Sequence, residues 1–415
     1  MCGIAGIASR APIGWHPVHL LAHRGPDGQD EVAIDLRAGH VVLCHSRLAI
    51  VDLSHAGDQP MANEDGSLLM VFNGEIYNHE ELRSRCIAAG HTFRSRMDGE
   101  VILHLWEMEG PACLNRLNGI FAVAIVDTRT SQVYLARDPL GVKPLFATEA
   151  KDGTLRFASE IAGLWELGAE RGPLDVTALA QFLTFLWIPD PRTPYANVRS
   201  VEPGTYVRWH PVDGSRHHRY HRLEDEVDVE RPPRDFATAM NELRAVLDAA
   251  VGRQLLGDVP IGVMASGGVD SSLIWSMAGE NVGRAYTIQW DASGQDGLGE
   301  DADAVRLLEA SIGTPVRYLP GSDAGVNSLP LGGDLFADPA FELTRFIAAA
   351  ARDDRYKVLL SGQGGDEVFG GYRRHAVAAM LGFASIGGSG RAAAAALSRF
   401  GAGAHVEFAA RGNGS

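Results

Sequence analysis

The sequence predicts two units of different class: a mainly antiparallel α+β domain, followed by an α/β domain built on a parallel sheet. Three observations carry this. Short apolar runs separated by turn signals fill residues 1–210. Strand-like runs alternate with helical spacing over residues 235–415. The stretch between them, 211–234, is polar, charged and proline-containing, and reads as a linker.

In the first unit, Val41–Cys44, Leu68–Phe72, Phe121–Val126 and Val133–Ala136 are short runs rich in apolar residues, the mark of strands. Asp65-Gly66 and Asp152-Gly153 punctuate them as turns. Helices are expected at Glu80–Ala89 and Glu100–Glu109. Beyond the linker, Phe236, Met240, Leu243, Leu247, Ala250 and Leu255 recur at helical spacing. Val259–Ala265, Ala285–Gln289, Val316–Leu319 and Lys357–Leu360 then read as buried strands. Ser271–Ala278, Asp301–Ala310 and Phe341–Asp353 read as the helices between them, which implies a parallel sheet covered on both faces. Tyr372–Ser415 is rich in Ala and Gly, with room for one or two helices.

Composition narrows the function class. A chain of 415 residues with 46% hydrophobic and 21% charged residues can bury a core in each unit. A net charge of −15 argues against a nucleic-acid binder, which usually presents a basic face. The four cysteines, Cys2, Cys44, Cys86 and Cys113, form no CxxC pair and no zinc-finger spacing, which suggests a reduced, intracellular setting. No secretory pattern opens the chain, and no apolar run reaches the roughly 20 residues of a membrane span. A cytoplasmic enzyme without a membrane or nucleic-acid partner is expected. Of the basic residues only Lys143, Lys151 and Lys357 are lysines.

The first chemical signal is Met1-Cys2-Gly3. Removal of the initiator methionine would leave Cys2 with both a thiol and a free α-amine. A thiol needs a base to become the thiolate nucleophile. The α-amine, with an ordinary pKa of about 7.7–8.0, can act as that base. Asn73-Gly74-Glu75 follows an apolar strand; the Asn73 amide and the Gly74 N–H could face a developing oxyanion. Arg47 could grip a carboxylate bidentately, and Glu75 and Asp98 could hold an ammonium. Singly, each is better explained as a chance cysteine, a turn residue or a solvated charge. Together with the His23-Arg24-Gly25-Pro26-Asp27 segment, and in this order, they resemble the class II glutamine amidotransferases. That resemblance implies an N-terminal nucleophile αββα sandwich. It implies Cys2 as nucleophile toward glutamine, Asn73 and Gly74 as oxyanion hole, and Arg47, Glu75 and Asp98 as the glutamine grip.

The second signal is Ser266-Gly267-Gly268-Val269-Asp270-Ser271-Ser272, set between a buried strand and a helix. Glycines let the backbone approach a phosphate, and a helix N-terminus offers free N–H groups. Asp270 could take Mg²⁺. This is not a Walker A pattern. It resembles the PP-loop of the ATP pyrophosphatases, which split ATP between its α- and β-phosphates. A second turn, Ser361-Gly362-Gln363-Gly364-Gly365-Asp366, again follows a buried strand, with Asp366 as a second Mg²⁺ ligand.

An N-terminal cysteine domain followed by a PP-loop looks like the glutamine-hydrolysing asparagine synthetase family. Arg137–Gly141, Phe157–Ile161 and Ile188–Thr193 resemble its connecting segments. The resemblance implies glutamine, ATP and a carboxylate acceptor as substrates, aspartate by default, with ammonia passed through an enclosed tunnel. It puts Ala265 and Ile288 near the adenine, and Ser361 and Gly362 in the nucleotide pocket. It allows a homodimer. The sequence departs from the family in two places. The family's synthetase domain runs well past the second turn, whereas 43 residues follow Tyr372 here and none is a lysine, so this domain reads as incomplete. Gln363 stands where asparagine-forming relatives often carry an acid, and Asp338 is retained from an Asp-Glu-Pro segment; both are acceptor-site candidates. The same chemistry on a natural-product or peptide carboxylate, or a partner-dependent glutaminase subunit, are the competing readings.

Overall fold

The computed structural model describes residues 1–14, 20–226, 235–290, 298–324, 333–337, 339–373 and 375–377. Chain order begins β1 (Gly3–Ser9), β2 (Gly28–Leu36), β3 (Gly39–Arg47), β4 (Met61–Ala62), β5 (Leu68–Ile76), α1 (His79–Ala88) and α2 (Glu100–Glu109). It continues with β6 (Gly119–Asp127), β7 (Gln132–Arg137), β8 (Phe146–Glu149), β9 (Leu155–Ala158), α3 (Ile161–Glu166) and α4 (Val176–Phe185). Then come β10 (Arg199–Ser200), β11 (Thr205–His210), β12 (Gly214–Arg219) and α5 (Phe236–Gln254). The last elements are β13 (Ile261–Met264), α6 (Val269–Ala278), β14 (Arg284–Gln289), α7 (Leu298–Ile312), β15 (Val316–Pro320), α8 (Pro339–Asp353), β16 (Val358–Leu360) and α9 (Gly365–Phe369).

Two six-stranded sheets, ordered β10-β8-β9-β1-β3-β2 and β12-β11-β7-β6-β5-β4, pack face to face. Strand alternation explains why. In β6, Phe121, Val123 and Ile125 face a core shared with α1 and α2, while Ala122, Ala124 and Val126 face the other sheet. A third core lies between β1, β3 and α3, built on Ala5, Ile7, Cys44, Ile161 and Leu164. Three cores separate four layers, so the first unit is an αββα sandwich.

The remaining sheet, ordered β15-β14-β13-β16, is wholly parallel. Val251, Trp275 and Val305 from α5, α6 and α7 cover one face, and Ala350 and Ala351 of α8 cover the other. The strand order runs β13, β14, β15 in one direction and then returns to the far side of β13 with β16. The carboxyl ends of β13 and β16 therefore flank the topological switch point, where α/β sheets place their ligands.

Several expectations need adjusting. Part of the stretch 211–234 is strand: β12 pairs with β11 along its whole length. As the edge strand of its sheet it can stay polar, with Arg216, His217 and Arg219 turned toward solvent. The helical spacing that predicts α5 is right, but Phe236 is 82% and Met240 47% exposed; no described residue covers them. Asp338 and almost all of Tyr372–Ser415 lie outside the described residues.

Leu43 has no exposed surface and sits in the core between the two sheets. Leu43→Ala is expected to destabilise the sandwich by about 2–5 kcal/mol, the usual cost of an unfilled aliphatic site. Urea unfolding followed by tryptophan fluorescence measures it.

Candidate active site

The start of the chain is pinned from several sides. Gly3 pairs with Ser46 at the edge of β1 and β3. The Arg24 guanidinium donates to the Cys2 carbonyl at 3.0 Å and to Glu160 at 2.8 Å. The Ile4 N–H donates to the Ser159 hydroxyl at 3.0 Å. This gives Arg24, a residue that carries no role in the sequence reading, a structural one. Gly25 is required beside it, since a Cβ there would lie 2.1 Å from the Ser46 carbonyl carbon. The Leu48 N–H points at the Cys2 thiol, 3.4 Å away.

Cys2 opens onto a cavity of about 290 Å³ that is also lined by Arg47, Asn73, Gly74, Glu75 and Asp98. All six glutamine-site residues expected from the sequence thus converge on one space. Asn73 follows Val71 on the sheet-facing side of β5. It is buried, and its amide nitrogen has no hydrogen-bond partner. Such a donor is costly unless a ligand completes it. Gly74 lies where β5 and β6 approach closely; a Cβ would meet the Ile120 carbonyl oxygen at 2.2 Å. Arg47 is already held by the Asp58 carboxylate at 2.7 Å and by backbone carbonyls of Ser54 and Asp52. Asp98 accepts the Ile76 N–H at 2.6 Å.

The electrostatics are set by burial. Desolvation pushes the Cys2 thiol up, opposed by the Leu48 N–H and by nearby positive charges. It pushes the Glu75 carboxyl up to about 7, opposed by Lys143 and reinforced by Asp98. It pushes the α-amine of Met1 down to about 6, so that this Met1 amine is mostly a free base at neutral pH. Lys143 is the residue sequence reasoning missed. Its buried ammonium lines the same cavity, and desolvation lowers it while Glu75 and Cys2 hold it up. Its Nζ lies 3.5 Å from the Met1 sulfur. The available signal was its survival as lysine in an arginine-dominated chain.

The second unit supplies one wall of this cavity through Gln254 and the run Lys357–Leu360. The units are tied there. Lys357 Nζ donates to Asp27 at 2.7 Å, and the same Asp27 oxygen accepts the Ala49 N–H at 2.8 Å. A second tie joins the Asp52 N–H to Asp258 at 2.9 Å, while the Asp258 N–H returns to the Ile50 carbonyl at 2.8 Å.

Leu360 ends β16 and leads into the second glycine-rich turn, so one short strand borders both candidate sites. At the switch point Gly267 adopts a φ of +80°, and the Ser266 and Ser271 hydroxyls lie 2.9 Å apart. Gly268 caps α6, and Asp270 and Ser272 lie in its first turn. The turn after β16 packs directly on this loop. A Cβ on Gly362 would lie 2.8 Å from the Ser271 nitrogen, and one on Gly365 2.6 Å from the Asp270 carboxyl carbon. Ser361, Gly362, Asp270 and the segment leading to Asp366 therefore form one cradle, closed to larger side chains. Ala265 is buried at the end of β13, its N–H donating to the Tyr286 carbonyl at 2.8 Å, and Ile288 lies on the neighbouring β14. Gln363 is exposed at the tip of the second turn, its N–H 3.4 Å from the Ser361 hydroxyl. Two of the connecting segments meet, Arg137 donating to Asp190 at 2.9 Å, while Glu160 of the third accepts from Arg24.

Comparison with known proteins agrees with this arrangement. Residues 1–221 match the model of the glutamine amidotransferase domain, and residues 242–407 match that of asparagine synthase. A putative glutamine-hydrolysing asparagine synthetase of Mycobacterium tuberculosis is 34% identical over 376 residues, 85% of this chain and 56% of that protein. Asparagine synthetase 1 of Bacillus subtilis is 32% identical over 387 residues, 90% of this chain and 59% of that protein. Asparagine synthetase B of Escherichia coli is 31% identical over 374 residues, 85% of this chain and 60% of that protein. The chain thus spans little more than half the length of these relatives. It belongs to the glutamine amidotransferase domain family, with an asparagine synthase domain following in the same chain.

Proposed function

We propose that this chain makes an amide from glutamine nitrogen. Cys2, freed of Met1, attacks the side-chain carbonyl of glutamine, with its own α-amine taking the thiol proton. Asn73 and the Gly74 N–H stabilise the oxyanion, and ammonia leaves as the acyl-enzyme forms; water then releases glutamate. Arg47, Glu75 and Asp98 hold the substrate's carboxylate and ammonium ends. In the second unit a carboxylate oxygen attacks the α-phosphorus of ATP and displaces pyrophosphate. Ammonia then attacks the acyl carbon, and AMP leaves. The default acceptor is aspartate, giving asparagine. Ser266, Gly267, Gly268, Ser271, Ser272, Ser361 and Gly362 would cradle the phosphates. Mg²⁺, held by Asp270 and Asp366, would offset the phosphate charge.

The observation that carries this reading is the buried, partnerless Asn73 amide nitrogen in the cavity that also holds Cys2. The shared wall from β16 supports a direct passage for ammonia, since free ammonia in water is mostly protonated at neutral pH. Gln363 favours one variation. Its neutral, exposed side chain cannot act as the base an acidic residue would supply, which points to a carboxylate other than aspartate.

Incubating the purified chain with glutamine, aspartate, ATP and Mg²⁺ is expected to yield glutamate, asparagine, AMP and pyrophosphate in step, read by mass spectrometry. Cys2→Ala should retain synthesis only with added ammonia. Glutamate production that persists in Cys2→Ala would overturn the nucleophile assignment; glutamate with AMP absent would move the acceptor away from aspartate. Asn73→Ala is expected to lower glutaminase kcat about 100- to 1000-fold with little change in KM, as for other oxyanion donors. Lys143→Met removes a positive charge that favours the Cys2 thiolate. The thiol then rises further and the thiolate fraction falls, so iodoacetamide labelling of Cys2 at pH 8 should slow; peptide mapping separates it from the buried Cys44, Cys86 and Cys113.

A further inference from the structure

A second cluster of potential ligands lies apart from the Cys2 cavity, none of its members lining it. Glu64 sits in the turn between β4 and β5, His91 in the loop after α1, and His104 and Glu107 one turn apart on α2. One ligand atom from each of Glu64, His91 and His104 falls within 4.8 Å of the others. His91 Nδ1 is 3.3 Å from one Glu64 oxygen, and His104 Nδ1 is 3.3 Å from the other. Glu107 approaches His91 Nδ1 at 3.9 Å. Ligands about 2.0–2.1 Å from a tetrahedral Zn²⁺ stand about 3.3 Å apart, the separation of each histidine nitrogen from its own Glu64 oxygen, so small shifts from the 4.8 Å limit would bring the three groups onto one ion.

The independent observation is His104. Its side chain is 2% exposed, and both ring nitrogens are buried without a hydrogen-bond partner. A protonated imidazole clamped between carboxylates would draw them to about 2.7–2.9 Å. Instead the carboxylates stand at 3.3 Å on one side and 3.7 Å, to Glu100, on the other. That second contact leaves a carboxylate beside the ring nitrogen opposite Glu64, too long for a hydrogen bond. Metal-bound histidines commonly present their other nitrogen to a carboxylate. Glu100 is buried and fixed for this by the Arg94 N–H at 2.7 Å and the Ser95 N–H and hydroxyl at 2.9 and 2.6 Å. Glu64 is fixed by the Thr92 N–H at 2.9 Å, and Glu107 by the Asn63 amide at 2.9 Å. Glu64 is exposed and His91 half-buried, which leaves an entry path.

We propose that Glu64, His91 and His104, with Glu107 as fourth ligand, bind one Zn²⁺ that clips the β4–β5 turn and the end of α1 onto α2. His/carboxylate donors in this spacing suit Zn²⁺ better than the oxygen-only cages of Mg²⁺ or Ca²⁺. The test uses the full chain carrying Cys2→Ala, which removes a competing thiolate. The protein is stripped with chelator, loaded with Zn²⁺, desalted and assayed for metal, and its Tm is followed with and without Zn²⁺. The site predicts about one Zn²⁺ retained per chain and a Tm raised by several degrees. His91→Ala and Glu64→Ala, both at partly or fully exposed positions, should each weaken retention at least 10-fold and abolish the Tm shift. No retained Zn²⁺, or retention and a Tm shift that are the same in both folded variants, would overturn the site and leave His104 as a buried histidine between carboxylates.

Discussion

The placement of residue 2 depends on a few hydrogen bonds at the start of β1. A residue this near the start of the chain has little backbone before it to hold it in position. Here the neighbours do that work: Arg24 grips the Cys2 carbonyl, Ser159 takes the next strand residue, and β3 pairs from Gly3 onward. Because Arg24 is itself held by Glu160, Cys2 is positioned by two loops, one of them the Phe157–Ile161 connecting segment. The rest of the cavity is arranged around that fixed point.

The parts of the fold that were legible are those whose side chains are large and regularly spaced. β5 and β6 place bulky residues on one face and small or branched ones on the other, and both stand out in the sequence. β1 does not. Its Gly-Ile-Ala-Gly-Ile-Ala-Ser run is buried throughout, yet it has little bulk because its neighbours leave none. A Cβ on Gly6 would lie 2.5 Å from the Phe157 ring and 2.6 Å from the Val42 carbonyl. β2 escaped for the opposite reason: Gln29, Asp30 and Glu31 make it polar, as the sheet edge permits. The residues of the Cys2 cavity could be picked out because their types are chemically distinctive and follow a recognisable order. Lys143 could not, since a lone lysine after a turn carries no pattern. With hindsight the arginine bias is the signal: of three lysines in the chain, Lys143 and Lys357 both line this cavity. An ammonium is a compact charge that titrates readily when buried, and a guanidinium cannot replace it in either respect. The histidine cluster was invisible for a different reason. Its members are spread from Glu64 to Glu107, and only the packing of two helices against a turn assembles them.

The second unit repeats one device at both of its glycine-rich turns. Each follows a parallel strand, each strand ends at the switch point, and each turn is small enough to lie against the other. Asp270 sits at their contact, where a methyl group on Gly365 would strike its carboxyl. The sequence marks the glycines; the reason for them appears only when the two loops are seen together. Exposed apolar positions occur in both units, Val176 and Leu183 on α4 and Phe236 and Met240 on α5.

β16 is three residues long and has two neighbourhoods. Its body walls the space in front of Cys2, Lys357 before it is fastened to Asp27, and Ser361 after it begins the nucleotide-side turn. So short a strand, hydrogen-bonded to β13 along its length, cannot bend in its middle, and a displacement at one end is carried to the other. Thermodynamic linkage then makes the relation mutual. If occupying the turn shifts the strand toward the sandwich and so favours a ligand beside Cys2, that ligand must favour occupancy of the turn by the same factor. The two chemistries would be kept in step by a lever only about 10 Å long.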